Sequence, residues 1–392
     1  MARNIVLLLD GTSNEVEADL TNVLKLYRML ERSGDQTVFY HPGVGTMGLA
    51  RSWGKVRQGL DTFWGLTTGW RLDDNIIAAY RFLAAHYCDG DHIYLFGFSR
   101  GAYNARAVAG MVSLIGLLRP EQDNLVPYAL TGYKRASSED RLELAWQFQR
   151  VLSGRRVPIR FMGLWDSVAS VIVPRRDRFY LPSLEFLPYT RKNPSVEIVR
   201  HACAIDERRR MFRLYPWDPN QRVRPNPFEP ELGNQDAQTV WFAGGHGDVG
   251  GGYAEAESQV AKYPLLWLVR EAEEAGLRFD ESMVRHLALG EPLRGGRRKY
   301  VEPDARAPIH DTMRGFWPVL EWLPKNARWR QWPPESSHRG IYFPRCEPRP
   351  IPSGALIHRS VADRLAGGEY APVNLPADYG IADTRESFRR AD

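Results

Sequence analysis

The stretch that decides the fold is His92-Ile-Tyr-Leu-Phe-Gly97-Phe-Ser99-Arg-Gly101-Ala102, in which an apolar run leads into a turn of small residues. Apolar residues then recur at intervals of three and four from Tyr103 to Leu117, so a helix is expected directly after the turn. A serine with glycine two residues before and two residues after it, between a strand and a helix, is typical of a nucleophile elbow. The glycines let the strand and helix backbones approach closely. We therefore predict that Ser99 is a nucleophile.

The same turn predicts where a negative charge would be stabilised. The helix points its N-terminus at the serine, and the backbone N–H of Arg100 lies next to it, so both would favour an oxyanion. A second donor is expected from a loop after an early strand. Asp10-Gly11-Thr12 follows the apolar run Ile5 to Leu9, so Gly11 and Thr12 are the candidates. A plain helix N-cap before Asn22 is the alternative function of this loop.

Further strands and helices alternate along the chain. Besides the run before Gly97, apolar runs typical of buried strands lie at Ile5 to Leu9, Thr37 to His41, Ile159 to Leu164 and Thr239 to Phe242. Helical periodicity is found at Asn22 to Arg32, Asn75 to Tyr87, Leu142 to Leu152 and Lys262 to Ala275. This alternation predicts an α/β fold of the α/β-hydrolase type, with a mostly parallel sheet covered by helices on both faces. In such sheets ligands bind at the carboxyl ends of the strands.

Length and composition favour one globular domain. The 392 residues are 43% hydrophobic and 25% charged, which is close to the average for folded proteins. We expect residues 1–392 to form a single catalytic domain with long irregular insertions, including a proline- and arginine-rich lid at about 293–352. The apolar run after Asn4 is too short for a signal peptide or a membrane span, so we expect a cytoplasmic location. Three scattered cysteines suggest neither disulfides nor a zinc site.

Charge restricts the expected partners. The net charge is +5, and arginines stand beside aromatic residues in Asn326-Ala-Arg-Trp-Arg-Gln-Trp332. Such a segment is suited to peripheral contact with an anionic membrane, although a solvated basic face gives the same pattern. No nucleic-acid-binding signature accompanies the charge, so nucleic acid is not an expected partner.

A serine nucleophile needs a histidine base and a carboxylate that orients it. His246 is the main candidate base because it lies in a glycine-rich loop just after the predicted strand that ends at Phe242. Asp166 is the candidate acid, since it ends another strand and gives the chain order serine, acid, histidine. Asp248 is the alternative acid, and His358 is the alternative base.

A second chemistry uses the same sheet edge. Asp10, Asp166, His246 and Asp248 together are a set of ligands that could serve a metal-dependent phosphoesterase. That reading leaves the elbow at Ser99 without a function, so we predict an enzyme with no metal and no cofactor.

The sequence also resembles a known family, the uncharacterised-domain family DUF2235, which includes the Tle1-like phospholipase effectors of type VI secretion. The segments that carry the resemblance are Asp10-Gly11-Thr12 with Asn14, Gly97 to Ala102, Gly163 to Val168, Ala204 to Arg208, Trp241 to Gly252, and Ile357 to Val361. They cover most of the chain.

The resemblance implies an α/β-hydrolase core and a serine-dependent lipase or phospholipase A activity, with Ser99, Asp166 and His246 at the matching motifs. We therefore expect hydrolysis of carboxylic esters through an acyl-enzyme, with membrane phospholipids as the main substrate and small soluble esters as the alternative. The resemblance further implies export by a type VI secretion system and an immunity protein as partner.

Overall fold

The computed structural model describes residues 2–11, 19–43, 70–138, 142–152, 154–168, 172–174, 182–184, 187, 189–219, 221–223, 233–296, 298–315, 317–326, 330–332 and 340–382. Within these residues one large sheet has eight strands: β1 (Asn4–Leu9), β2 (Gln36–His41), β3 (His92–Phe98), β4 (Ile159–Trp165), β5 (Val196–Ala204), β6 (Asp236–Phe242), β7 (Leu356–Ile357) and β8 (Gly380–Ile381). Their order is β8-β7-β6-β5-β4-β3-β1-β2, and every neighbouring pair is parallel. The predicted parallel sheet is confirmed.

The helices lie along the chain between these strands. Their bounds are α1 (Asn22–Met29), α2 (Trp70–His86), α3 (Arg100–Ile115), α4 (Val126–Ser138), α5 (Leu142–Leu152), α6 (His246–Gly250), α7 (Lys262–Glu274), α8 (Glu281–Leu289), α9 (Trp317–Leu320) and α10 (Arg359–Ala366). Among the described residues, helical turns of the 3₁₀ type lie at Pro120–Leu125, Arg210–Phe212 and Glu255–Glu257.

Strand β1 shows why the apolar runs become central strands. All six of its residues are buried, and successive side chains of a strand point to opposite faces of the sheet. Ile5, Leu7 and Leu9 pack in one hydrophobic cluster with residues of α2, α3 and α4. Val6 and Leu8 pack in a second cluster with residues of α1, α7 and α8. The sheet is therefore covered by helices on both faces, and a run without polar alternation is required at its centre.

One central strand was absent from the sequence prediction. Strand β5 pairs with β4 on one side and with β6 on the other. Its sequence carries Glu197 and Arg200, which obscure the apolar pattern. Arg200 is accommodated because its guanidinium bonds Asp236 at 2.7 Å and Glu271 at 2.5 Å, at the edge of the core. Charges that are paired in the fold therefore concealed a buried strand.

The strand order reverses direction at one place. Strands β3 to β8 follow one another across the sheet in chain order, whereas β1 and β2 lie on the other side of β3. A parallel sheet opens a crevice at the carboxyl ends of the strands beside such a switch point. The segments that leave β1 and β3 there are Asp10-Gly11 and Ser99, so topology brings the two predicted parts of the site together.

The remaining described strands form short antiparallel ribbons, which are Ile172–Pro174 with Pro182–Leu184, Arg222–Val223 with Gly233–Asn234, and Lys325–Asn326 with Ile341–Tyr342. The last ribbon and α9 lie in the segment at about 293–352 that the sequence predicts to be a lid. In the part of the chain that the structure describes, no helix is long and apolar enough to cross a membrane.

Candidate active site

Ser99 lies between β3 and α3 in a strained backbone conformation. Its φ is 57° and its ψ is −120°, a region that residues with a side chain rarely occupy. Holding a non-glycine residue there costs on the order of 1–3 kcal/mol, and such strain clusters at functional sites. The N–H of Ser99 donates to the carbonyl oxygen of Trp165 at 3.1 Å, which fixes the turn to the end of β4. The conformation is that of a serine held at the tip of a sharp strand-to-helix turn.

The two glycines of the turn are required by close backbone contacts. A Cβ atom at Gly97 would lie 2.5 Å from the carbonyl carbon of Gly101. A Cβ atom at Gly101 would lie 2.0 Å from the carbonyl oxygen of Leu9. Backbone atoms on both sides leave no room for a larger residue, so the turn can be this tight only with glycine at both positions.

The predicted oxyanion donors have different surroundings. Arg100 is the first residue of α3, so its N–H lies at the positive, N-terminal end of the helix dipole. Gly11 lies close by, since a Cβ atom there would be 3.4 Å from the Cβ of Ser99. Its N–H donates to Oδ1 of Asp10 at 2.7 Å, so in this conformation that donor is already engaged. Thr12 lies outside the described residues.

Asp10 anchors the loop after β1. Its buried carboxylate accepts hydrogen bonds from the Thr21 hydroxyl at 2.5 Å and from the Tyr40 hydroxyl at 2.9 Å. Burial, followed by the charge of Asp10, raises the pKa of Tyr40 well above its usual value. These contacts hold the start of this loop against Thr21 and β2, so Asp10, which the sequence suggests as a metal ligand, has a structural role.

His246 and Asp166 are in direct contact. Nδ1 of His246 lies 2.5 Å from Oδ2 of Asp166, although the residues are 80 positions apart. His246 follows β6 as the first residue of α6, and Asp166 follows β4 with a φ of 37°. An ionised carboxylate can only accept a hydrogen bond, so Nδ1 of His246 carries the proton of the neutral imidazole. Nε2 then has the lone pair that can accept a proton.

The imidazole ring of His246 is enclosed by aromatic residues. Its centroid lies 4.6 Å from the ring of Phe98, the residue before the candidate nucleophile, and 4.8 Å from the ring of Phe212. Phe98 therefore packs the elbow directly against the candidate base. A Cβ atom at Gly250 would lie 1.9 Å from the Phe98 ring, which explains the glycine at the end of α6.

The electrostatics favour a neutral His246. Burial lowers its pKa below the usual value, against the opposing effects of Asp166 and Glu207. Glu207 accepts a hydrogen bond from the backbone N–H of His246 at 3.1 Å and pairs with Arg209 at 2.7 Å. The carboxylate of Glu207 is buried, and it fixes the first residue of α6 from the loop after β5.

Asp166 has a second charged partner. Arg349 approaches it with both terminal nitrogens, at 2.6 Å to Oδ1 and 3.0 Å to Oδ2. Oδ1 also accepts a hydrogen bond from the N–H of Ala204 at 3.0 Å. Burial alone would raise the pKa of Asp166, but Arg349 and His246 outweigh it and hold the pKa far below its usual value. The carboxylate is therefore ionised and held from two sides.

The alternative acid and base lie in other contacts. Oδ1 of Asp248 lies 2.6 Å from Nδ1 of His310, and its Oδ2 accepts from the N–H of Gly245 at 2.9 Å. His358 is the N-cap of α10, where its Nδ1 accepts from the N–H of Ser360 at 3.1 Å. Its ring stacks on Phe242 with the centroids 4.8 Å apart. Both residues contact partners other than Ser99, Asp166 and His246.

Sequence reasoning missed Arg349, Glu207 and His310. Arg349 stands in a proline-rich stretch without periodicity, so nothing local marks it. Glu207 was within reach, because the segment from Ala204 to Arg208 contributes to the family resemblance. His310 lacks a strand-end setting, and only the fold brings it to Asp248.

The parallel sheet, the strained serine at its switch point and the adjacent histidine and carboxylate define an α/β-hydrolase-like protein. Residues 3–271 match the model of the family described as "T6SS, Phospholipase effector Tle1-like, catalytic domain". The chain belongs to this family of Tle1-like catalytic domains.

Individual relatives are longer than this chain. An uncharacterised protein of Saccharomyces cerevisiae, YEL023C, is 36% identical over 249 residues, which are 59% of this chain and 34% of the yeast protein. An uncharacterised protein from Pseudomonas aeruginosa of known structure is 20% identical, with a TM-score of 0.38, over 71% of this chain and 46% of that one. The Tle1 effector, solved bound to the VgrG spike of the type 6 secretion system, is 22% identical, with a TM-score of 0.32, over 66% and 53%. The chain thus spans about a third of the yeast protein and about half of each solved protein.

Proposed function

We propose that the protein is a serine esterase that hydrolyses phospholipids through an acyl-enzyme. The observation that carries the proposal is the strained Ser99 at the N-terminus of α3, packed through Phe98 against His246. Asp166 keeps Nδ1 of His246 protonated, so Nε2 is the atom that accepts a proton. This arrangement supplies a nucleophile, a base and an orienting carboxylate in one crevice.

In the proposed reaction Oγ of Ser99 forms a bond to the carbonyl carbon of the ester, and its proton passes to Nε2 of His246. The N–H of Arg100 and the dipole of α3 stabilise the oxyanion, and Gly11 joins them if its N–H is released from Asp10. His246 then gives its proton to the departing alcohol. Water repeats the sequence on the acyl-enzyme and releases the fatty acid.

The contacts of the carboxylates argue for this mechanism over a metal-dependent phosphoesterase. A cation at Asp166 would have to share the carboxylate with the guanidinium of Arg349, which already contacts both oxygens. Asp10 and Asp248 are engaged with Thr21 and His310 respectively. The esterase mechanism needs none of these contacts to break.

The membership of the family supports phospholipid as the substrate, and one surface of the chain fits contact with a bilayer. We define the apolar patch as Val319, Trp322, Leu323, Ile341 and Phe343, which are all exposed. The segment around it, residues 312–350, holds seven basic and three acidic residues. Arg349 and Glu321 are buried, so the remaining six basic and two acidic residues give a charge complementary to anionic lipid.

The apolar patch is connected to the site. Trp317, in the helix that carries Val319, contacts Phe212 with ring centroids 5.6 Å apart, and Phe212 contacts His246. The guanidinium of Arg345 lies 4.9 Å from the ring of Trp322. Arginine and tryptophan side chains, which have an apolar body and a charged or polar end, are suited to the interface between lipid headgroups and acyl chains. We include peripheral membrane contact through this patch in the proposal.

The family membership suggests that the protein is exported by a type VI secretion system. A protein that hydrolyses phospholipids endangers the cell that makes it, so an immunity protein that blocks Ser99 belongs to the same proposal. Both rest on the family membership.

The experiment is hydrolysis of vesicles made of phospholipids labelled at either acyl position, and of a soluble short-chain ester, by the wild type, Ser99→Ala and the exposed control Ser282→Ala. We expect the wild type and the control to release fatty acid and Ser99→Ala to lose about 10⁴-fold or more of the activity. The labelled position identifies the acyl specificity. Activity that survives in Ser99→Ala and is lost with a chelator would overturn the esterase mechanism in favour of a metal-dependent one.

A further inference from the structure

The contact between Arg349 and Asp166 is the least expected feature of the site. An acid that orients a catalytic histidine serves by its negative charge, which stabilises the imidazolium that forms. In this protein both carboxylate oxygens also accept from a guanidinium, at 2.6 and 3.0 Å. The exposed fraction is 6% for the Arg349 side chain and 0% for that of Asp166, so water screens the pair little.

Arg349 connects Asp166 to the loop after β5. Its Nη1 also donates to the carbonyl oxygen of Ala204 at 3.2 Å, and its Nη2 donates to that of Phe212 at 2.5 Å. The ring of Phe212 packs on His246. One guanidinium therefore fixes the acid and the backbone of a residue that encloses the base.

The backbone of Arg349 is itself held in place. The buried amide of Asn374 donates to the carbonyl oxygens of Arg349 at 2.9 Å and of Ile205 at 3.0 Å. Asp166 lies 183 residues before Arg349 in the chain. A bidentate pair of this kind has a fixed geometry that a lysine cannot reproduce.

We propose that Arg349 is a positioning residue of the site: it orients the carboxylate of Asp166 towards His246 and limits the negative charge that His246 experiences. The inference rests on the proposed function. It also means that the segment predicted as a lid supplies one residue of the proposed catalytic arrangement.

The charged groups around His246 determine how the removal of Arg349 should change the pKa of the imidazole. Asp166 and Glu207 favour the imidazolium, whereas Arg209 disfavours it. Arg349 offsets Asp166, so its loss exposes His246 to more negative charge and raises the pKa of the imidazole. Because His246 must be neutral to accept a proton, the fall of kcat/KM on the acid side then begins at a higher pH.

The test is the pH profile of kcat/KM on a soluble ester for Arg349→Met, Arg349→Lys and the control Arg200→Met. Arg200 is also a bidentate, mostly buried arginine, paired with Asp236 away from the site. We expect Arg349→Met to lose about 10²-fold in activity and to move the acid limb up by about one pH unit. Arg349→Lys should lose activity and keep the limb, and Arg200→Met should keep both activity and limb.

A double variant covers the case in which Arg349→Met fails to fold because it leaves a buried carboxylate unpaired. In the Asp166→Asn background, adding Arg349→Met should cause no further loss of kcat/KM, since Arg349 acts through Asp166. A further loss there, or an unmoved acid limb in a folded Arg349→Met, would overturn the inference. The proposed function fails separately, if wild-type hydrolysis does not depend on Ser99.

Discussion

Asp166 and His246 meet at the carboxyl ends of strands that are separated in the sheet by β5, with Oδ2 and Nδ1 2.5 Å apart. Asp166 directly follows β4, and His246 is the first residue of α6, separated from the end of β6 by three residues, so both lie close to the ends of their strands. The pair orients the imidazole with Nε2 directed away from the carboxylate.

This orientation predicts a severe effect of Asp166→Asn. An asparagine amide can favour the wrong tautomer of His246, with the proton on Nε2, and the loss of kcat/KM on a soluble ester should approach about 10⁴-fold. Asp248→Asn is the matched control and should lose far less, because Asp248 bonds His310. Equal losses in both variants would contradict the assignment of the acid.

The wild-type pH profile provides a second prediction. Burial lowers the pKa of His246, so the base stays neutral to a lower pH than an ordinary histidine. We expect kcat/KM to be constant at neutral pH and to fall only below about pH 6.5, the ordinary value of a histidine pKa. An acid limb centred above that value would show that the imidazolium is favoured and that the electrostatic account is wrong.

Gly101→Ala should destabilise the fold. The new Cβ atom would lie 2.0 Å from the carbonyl oxygen of Leu9, and neither backbone can move without disturbing β1 or α3. We expect a loss of about 1–3 kcal/mol or more in the free energy of unfolding. Gly34→Ala is the control, since a Cβ there has nothing within 4 Å. Thermal unfolding of both variants checks the difference, and equal Tm values would contradict it.

His358 should affect stability and not catalysis. Burial lowers the pKa of His358 to about 3. Its neutral form is favoured by the fold, so its contribution is complete above the pKa of about 6.5 in the unfolded chain and is lost as the pH falls towards 3. His358→Asn keeps a capping side chain that does not titrate. We expect this variant to lose less stability between pH 6.5 and pH 4 than the wild type and to retain kcat/KM; loss of catalysis would make His358 the base.

The apolar patch predicts a separation of two activities. Trp322→Ser with Leu323→Ser removes two exposed side chains of the patch, so binding to anionic vesicles and hydrolysis of their lipids should fall at least about tenfold. Turnover of a soluble ester should remain, since neither residue touches His246 or Asp166. Val151→Ser, an exposed apolar position on α5, is the control. Unchanged binding in vesicle sedimentation would exclude this patch as the membrane contact.

The sequence revealed the parts of the fold that rest on local pattern. β1, β3 and the turn at Ser99 were predictable because a strand buried on both faces must be continuously apolar and the turn must contain glycine. β5 was hidden by Glu197, which is exposed, and by Arg200, whose charge is paired with the distant Asp236 and Glu271. Arg349 is the extreme case, because a single arginine carries no periodicity and its partner is far away in the chain.

The conformation of Ser99 has a consequence for the stability of this chain. Glycine would adopt a φ of 57° with less strain than serine, so the turn itself would be more relaxed with glycine at position 99. The fold instead retains a side chain at a cost on the order of 1–3 kcal/mol. In the proposed mechanism this cost is the stability that the fold gives up to hold a hydroxyl at the tip of the turn.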